Sequence, residues 1–237
     1  MTASRTARER VRAELTKEIA DIARRQLATE GAGGLSLRAV AREMGMVSSA
    51  IYRYFPSRDD LLTTLIIDGY NAIGECVEQA DAATDRSDHL GRWLAVCHAV
   101  RDWALANPHE YALLYGSPVP GYQAPMDTVE AAVRDTVVFG RILSEAHEAG
   151  VLDPPGIAPA PPPSLAEDAA LVRAVMPGVS DLVIFRAINA WTGLFGWVSF
   201  ELFGQFNNTL DNRRTAFEHA MLNNAALMGL GIPEAAR

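Results

Sequence analysis

Residues 36–55, SLRAVAREMGMVSSAIYRYF, admit few folded arrangements. Leu37, Val40 and Ala41 fall on one face of a short helix. Ser36 is a suitable N-cap for it, because its hydroxyl can accept from an early backbone N–H. Gly45 supplies a turn, and a second short helix is predicted from near Val47–Ser49, holding Ile51, Tyr52 and Tyr54. Phe55-Pro56-Ser57 breaks it. Ala41 is small enough for the second helix to pack close, and Leu37, Val40, Ile51 and Phe55 are spaced to fill a little core. The pattern is that of a helix-turn-helix.

The flanks agree with it. Val11, Leu15, Ile19, Ile22 and Leu27 make one apolar stripe on a helix predicted over residues 8–30, which Gly31, Gly33 and Gly34 end. Ser57 caps a further helix carrying Leu61, Leu62, Leu65, Ile66 and Ile73, with Asp59 and Asp60 in its first turn, where the helix dipole favours them. Helical spacing continues through His89–Asn107, Glu110–Tyr115, Met126–Gly150, Ser180–Phe206 and Asp211–Gly229. Gly116–Pro125 and the Pro-rich Val151–Ser164 read as loops. No strand pattern and no repeat stands out. The expected architecture is all-α, with a helix-turn-helix unit over residues 1–58 and a larger helical body over residues 59–237.

Charge divides along the same line. The chain carries a net −8, yet residues 1–58 hold 11 Lys/Arg against 6 Asp/Glu while residues 59–237 hold 10 against 23. Only the first part is suited to a polyanion, and the remainder should be repelled by one. With its apolar side used for packing, the second short helix leaves Ser48, Ser49, Ala50, Arg53 and Tyr54 partly free, and such a helix fits the DNA major groove with its N-terminal residues toward base edges. Other classes find little support. The polar start Met1-Thr2-Ala3-Ser4-Arg5 offers no secretory h-region. The longest uncharged apolar stretch, Ala187–Phe200, is 14 residues, below the roughly 18–20 that span a bilayer. Cys76 and Cys97 make neither a disulfide framework nor a zinc spacing, so a cytoplasmic protein without metal or other cofactor is expected. The histidines are scattered, and no nucleophile elbow, P-loop or dinucleotide fingerprint occurs, so no enzyme is expected.

The lead helix, then Leu37, Val40, Ala41, Gly45, Ile51, Tyr52, Tyr54 and Phe55, then Leu61-Leu62, together resemble the TetR family of transcriptional regulators. The resemblance implies a DNA-binding head and a helical body for effector binding and dimerisation. It implies that Ser36, Tyr52 and Arg58 hold phosphates, and that Arg38, Ser48, Ser49, Ala50, Arg53 and Tyr54 meet bases or the adjacent backbone of double-stranded operator DNA. The family usually has Ser at the position of Val47, so Ser48 or Ser49 is expected to cap the second helix here; it often has Lys where Arg58 stands. Arg5, Arg8, Arg10 and Arg12 form a basic arm that could reach flanking phosphate or minor groove. The implied function is a ligand-responsive homodimeric repressor on a palindromic operator. The alternative is a small-molecule-binding or protein-interaction module with a weak DNA-binding head, which the missing Ser at Val47 favours.

In the closing helices, Trp191-Thr192-Gly193-Leu194-Phe195-Gly196 resembles the Trp/His-Gly type of C-terminal domain found on some of these regulators, with Phe195 in place of the His. Gly193 and Gly196 permit close backbone approach, and Trp191, Trp197, Phe200 and Phe203 are expected to form a homodimer interface. Trp93, Cys97, His98, Trp103, Tyr111, Tyr115 and Phe139 combine apolar bulk with a few polar tips and are the expected lining of an effector pocket for an apolar or weakly polar molecule.

Overall fold

The computed structural model of the chain describes residues 2–156 and 159–231, the side chains of residues 2–6 excepted. Among the described residues the architecture is all-α, with one isolated antiparallel bridge between Leu152 and Leu230. Packing divides the chain into two units, Met1–Tyr70 with Asn107–Ala131, and Asn71–Ala106 with Ala132–Arg237. The expected division after residue 58 follows a motif; the packing units part at Tyr70 instead and return residues 107–131 to the first.

In the first unit, α1 (Thr2–Gly34) is broken where the sequence indicates, at Gly31, whose φ of 68° leaves the helix before a last stretch to Gly34. Ser36 caps α2 (Leu37–Glu43) by accepting from the Ala39 N–H at 3.4 Å. Gly45 makes the turn at φ 68°, a conformation glycine adopts freely. The second helix is shorter than expected: α3 (Ser48–Ile51) is one turn, continued to Phe55 by bonds such as Tyr54 N–H to Ile51 C=O at 2.9 Å. Neither Ser48 nor Ser49 caps it. Val47 occupies the N-cap, with no side-chain hydrogen bond. Ser57 does cap α4 (Arg58–Ala83): its hydroxyl accepts from the Asp60 N–H at 3.1 Å and donates to the Asp60 carboxylate at 2.7 Å. Ile19, Ala23, Val40, Ala41, Ile51, Leu61 and Leu62 are fully buried together, as their spacing requires. The side chain of Arg58 reaches the end of α1 and donates to the carbonyls of Ala32 at 2.6 Å and Leu35 at 3.1 Å. The short helix α6 (Pro108–Tyr115) joins by packing on α1, with Arg24 paired to Glu110 and a 2.9 Å hydrogen bond between the Thr63 and Tyr122 hydroxyls.

The second unit is built from α5 (His89–Ala106), α8 (Arg134–Glu148), α10 (Asp181–Leu202) and α11 (Arg213–Met228). The predicted helix Met126–Gly150 is interrupted: a 3-10 turn and the short α7 (Val129–Ala132) precede a break at Val133, and α8 begins after it. A short helix, α9 (Ala166–Val172), stands beyond the Pro-rich loop, where no helix is expected. By length and composition α10 could cross a bilayer, so the 14-residue apolar run understates it. Its packing is that of a core helix, since it lies against α5, α9 and α11 and buries two charged residues. Glu201 accepts from Arg101 Nε at 2.8 Å, and Arg186 donates to the carbonyls of Leu227 at 2.6 Å and Pro155 at 2.7 Å. A second buried cluster joins the end of α4 to α5 and α8. Arg92, fully buried, donates to Asp81 at 2.7 Å and to Glu145 at 2.7 Å, while Arg141 reaches Asp81 at 2.6 Å. Burial alone would push the Asp81 carboxyl up, but the Arg92 and Arg141 hydrogen bonds hold it below the ordinary carboxylate range.

The backbone of α8 approaches the turn after α9 at Gly140. A Cβ there would lie 2.2 Å from the Val175 carbonyl oxygen. Gly140→Ala should therefore destabilise by about 1–3 kcal/mol despite the better helix propensity of Ala, because the overlap is with backbone. A lowered thermal midpoint by circular dichroism checks this; an unchanged or raised midpoint would contradict it.

Candidate nucleic-acid interface and cavity

Burying Ile51 and Phe55 turns the opposite side of α3 outward. Val47, Ser48 and Ser49 are exposed at its start, Tyr52 and Arg53 at its end, and Arg38 is exposed on α2. Ala50 and Tyr54 are half-buried, and Ser36 is half-buried in its capping role. The solvent-facing set thus offers hydroxyl groups, a phenol and two guanidinium groups with no acidic side chain among them. These can donate to phosphate oxygens and to acceptors on base edges.

Three residues make contacts or present surfaces that the sequence reading does not include. Arg12 is no free arm: its guanidinium donates to the Arg53 carbonyl at 3.1 Å and lies 5.8 Å from the centre of the Tyr54 ring, so it ties α1 to the chain just after α3. Arg58 is engaged with the end of α1, which makes it a structural residue whatever else it touches. Val47 reads in the sequence only as a missing cap, yet it is 72% exposed beside the two serines and presents a methyl-bearing surface of the kind that meets a thymine methyl group. Its position immediately before α3 is the available signal. Arg8 and Arg10 are exposed on α1, and the side chain of Arg5 lies outside the described residues.

The second unit contains a cavity of about 200 Å3 lined by Trp93, Thr136, Phe139, Leu143, Val172, Met176, Ala187, Ile188 and Trp191. Of the expected lining, Trp93 and Phe139 are there, with ring centres 5.4 Å apart. The others are placed elsewhere. Tyr111 and Tyr115 belong to the first unit, where their rings pack at 5.0 Å. Trp103 is buried outside the lining, and Cys97 is fully buried in the core, which pushes its thiol pKa well up. His98 stacks 5.3 Å from Phe217 with Nε2 3.6 Å from Glu218, and burial foremost lowers its pKa. Helical spacing places these aromatics on inward faces correctly but does not say which neighbour each meets.

The expected interface residues also separate. Gly193, Gly196, Phe200 and Phe203 form an exposed stripe along α10, with Phe200 54% and Phe203 49% exposed. Trp197 turns inward against Phe206 and Phe217. Trp191 is partly exposed but lines the cavity and packs on Phe195 at 5.3 Å.

Comparison with known proteins falls on the same two regions. Residues 19–65 match a family model described as bacterial regulatory proteins, tetR family, and residues 93–223 match one described as tetracyclin repressor-like, C-terminal domain. An HTH-type transcriptional regulator of Mycobacterium tuberculosis is 42% identical over 207 residues, which cover 85% of each chain. SCO4313, described as a regulatory protein, has a crystal structure similar at TM-score 0.74 with 33% identity, covering 91% of this chain and 97% of that one. PfmR, a TetR family transcriptional regulator from Thermus thermophilus, shares the fold at TM-score 0.55 and 16% identity, covering 90% and 99%. With the helix-turn-helix geometry and the helical second unit both matched along most of the chain, this protein belongs to the TetR family of helix-turn-helix, DNA-binding transcriptional regulators.

Proposed function

We propose that the chain is a cytoplasmic, homodimeric repressor that binds a palindromic operator and is released by a small apolar or weakly polar effector. The carrying observation is the exposed, acid-free surface of Arg38, Val47, Ser48, Ser49, Tyr52 and Arg53 on a head of net positive charge. In this reading residues 1–58 bind DNA and residues 59–237 bind the effector and a second copy. The glycine–phenylalanine stripe of α10 supports self-association, because two glycines let backbones approach while Phe200 and Phe203 supply apolar area that water otherwise covers. The cavity, walled mainly by apolar side chains, supports the effector. The chain works as a regulator, not a catalyst.

Repression requires that two heads place their α3 segments in successive major grooves, about 34–36 Å apart. An effector that favours dimers with another spacing lowers operator affinity. A coupling of about 1–3 kcal/mol would change that affinity roughly 5–150-fold. The element that carries the change is α4, one continuous helix through which the chain passes from the first packing unit into the second.

The test is mobility shift on the DNA upstream of the protein's own gene, against unrelated DNA. Arg53→Ala should cost about 1–3 kcal/mol of specific binding. Tyr52→Phe should weaken specific and unrelated DNA alike, as loss of a phosphate contact does. Equal binding by both variants and the parent protein would refute the assignment of this surface. Arg58→Ala should lower thermal stability by about 1–2 kcal/mol through loss of its bonds to the α1 carbonyls, seen as an earlier melting transition; a variant that melts with the parent would contradict that role. Phe200→Asp places a charge in the apolar stripe of α10 and should yield monomers by light scattering, with cooperative operator binding lost. A variant that remains dimeric would move the interface elsewhere.

A further inference from the structure

Three of the nine side chains that wall the cavity carry an N–H or O–H, and each is engaged elsewhere. Trp93 donates its indole N–H to the Met221 carbonyl at 2.9 Å. Thr136 donates its hydroxyl to the Asp135 carboxylate at 3.2 Å, and the Trp191 indole N–H is drawn to the same carboxylate. Asp135 is itself outside the lining and 4% exposed, so it withdraws two donors from the wall without joining it. Phe139, Leu143, Ala187 and Ile188 stand inside α8 and α10, whose backbone groups bond along the helix. No charged side chain is among the described lining residues. The Thr136 oxygen keeps a lone pair, but on a partly exposed residue at the mouth; the floor of Trp93, Phe139, Leu143, Met176 and Ala187 is buried.

Such a wall discriminates by what a ligand would lose on entering. An ion would give up its hydration and find no counter-charge. Aromatic faces attract cations, but that attraction is smaller than the hydration an enclosed ammonium loses. A hydroxyl or amide would exchange its bonds to water for none on the floor. A hydrocarbon surface loses nothing of the kind and gains dispersion contacts with the lining side chains. Volume sets the size. The cavity of about 200 Å3 compares with the ~150 Å3 that holds one benzene ring in an apolar core, leaving room for a short substituent and not for a second ring.

We infer that the cavity takes an uncharged, hydrocarbon-like molecule, one aromatic ring or an aliphatic body of that size with a short substituent, selected by shape and burial with no hydrogen bond to anchor it. That this molecule is the effector rests on reading the cavity as the effector site. Among apolar and weakly polar molecules the wall thus favours the apolar ones, and its volume caps their size.

The experiment is a titration of the full-length protein with ethylbenzene, benzyl alcohol, benzylammonium, benzoate and biphenyl, monitored by calorimetry and by tryptophan emission, since Trp93 and Trp191 both border the cavity. Ethylbenzene should bind about tenfold more tightly than benzyl alcohol and at least about a hundredfold more tightly than either ion, while biphenyl should not bind. Ala187→Leu enlarges a side chain of the floor and should weaken ethylbenzene binding at least about tenfold. The ligand series on the parent protein stands as a test even if the variant folds poorly. The alcohol, an ion or biphenyl binding as tightly as ethylbenzene would overturn the inference and leave the cavity as an effector site. Undiminished ethylbenzene affinity in Ala187→Leu would overturn the inference by placing the ligand elsewhere. Ethylbenzene should also release operator DNA in the mobility shift; the expected order of affinities with operator binding unchanged would overturn the effector reading and support the cavity's selectivity. Binding by none of the compounds would overturn both.

Discussion

A helical segment of one turn cannot hold its own shape in water, because nucleation fixes several residues for a single hydrogen bond. Everything proposed for DNA recognition depends on how α3 escapes that limit. Ile51 and Phe55 are buried among Ile19, Val40, Ala41 and Leu61, so the segment is pinned by packing rather than by its own backbone. Arg12 adds a hydrogen bond from α1 to the Arg53 carbonyl and covers the Tyr54 ring. The exposed side chains inherit their orientation from these buried ones. Val47 can stand at the N-cap without a capping hydroxyl for the same reason: the packing on Ile51 outweighs a cap contributing only about 1 kcal/mol.

Charge then decides what this small rigid surface can meet. Residues 1–58 are net positive within a chain that is net negative overall, so a polyanion is attracted to the head and repelled by the remainder of the chain. Within the head, two of the acidic groups are neutralised in pairs, Glu43 with Arg25 and Asp21 with Arg24. The second unit uses charge differently. Arg92 with Asp81, and Arg101 with Glu201, are buried ion pairs, which contribute little net stability against apolar replacements but penalise any packing that separates them. They fix the register of the end of α4 with α5 and α8, and of α5 with α10, around the cavity. Asp135 differs from these pairs, a buried carboxylate whose Oδ1 accepts from the Thr136 N–H and hydroxyl rather than from a cation.

Much of this is legible in the sequence because the governing interactions are local. The caps at Ser36 and Ser57, the turn at Gly45, the helix break at Gly31 and the inward face of Ile51 all come from residues within a few positions of one another. What the sequence does not show has the opposite character. The bonds of Arg58 to Ala32 and Leu35 reach back more than twenty positions. Tyr111 and Tyr115 carry the right inward spacing for a pocket but fold back onto α1, a choice made by packing between distant segments. Trp191 suggests an interface because an exposed tryptophan usually marks one, whereas its ring also closes a cavity that no spacing pattern announces. The break at Val133 has no proline or glycine to mark it.

The central claim is that the outward side of α3 enters the major groove twice per dimer. Guanine-N7 methylation interference on the operator reads the major groove directly, because the added methyl group blocks contact from that groove alone. The account predicts interference in two patches related by the operator's symmetry and separated by about one helical turn, or a whole number of turns. A single patch, patches at half-turn spacing, or no interference on DNA that the protein binds would contradict it.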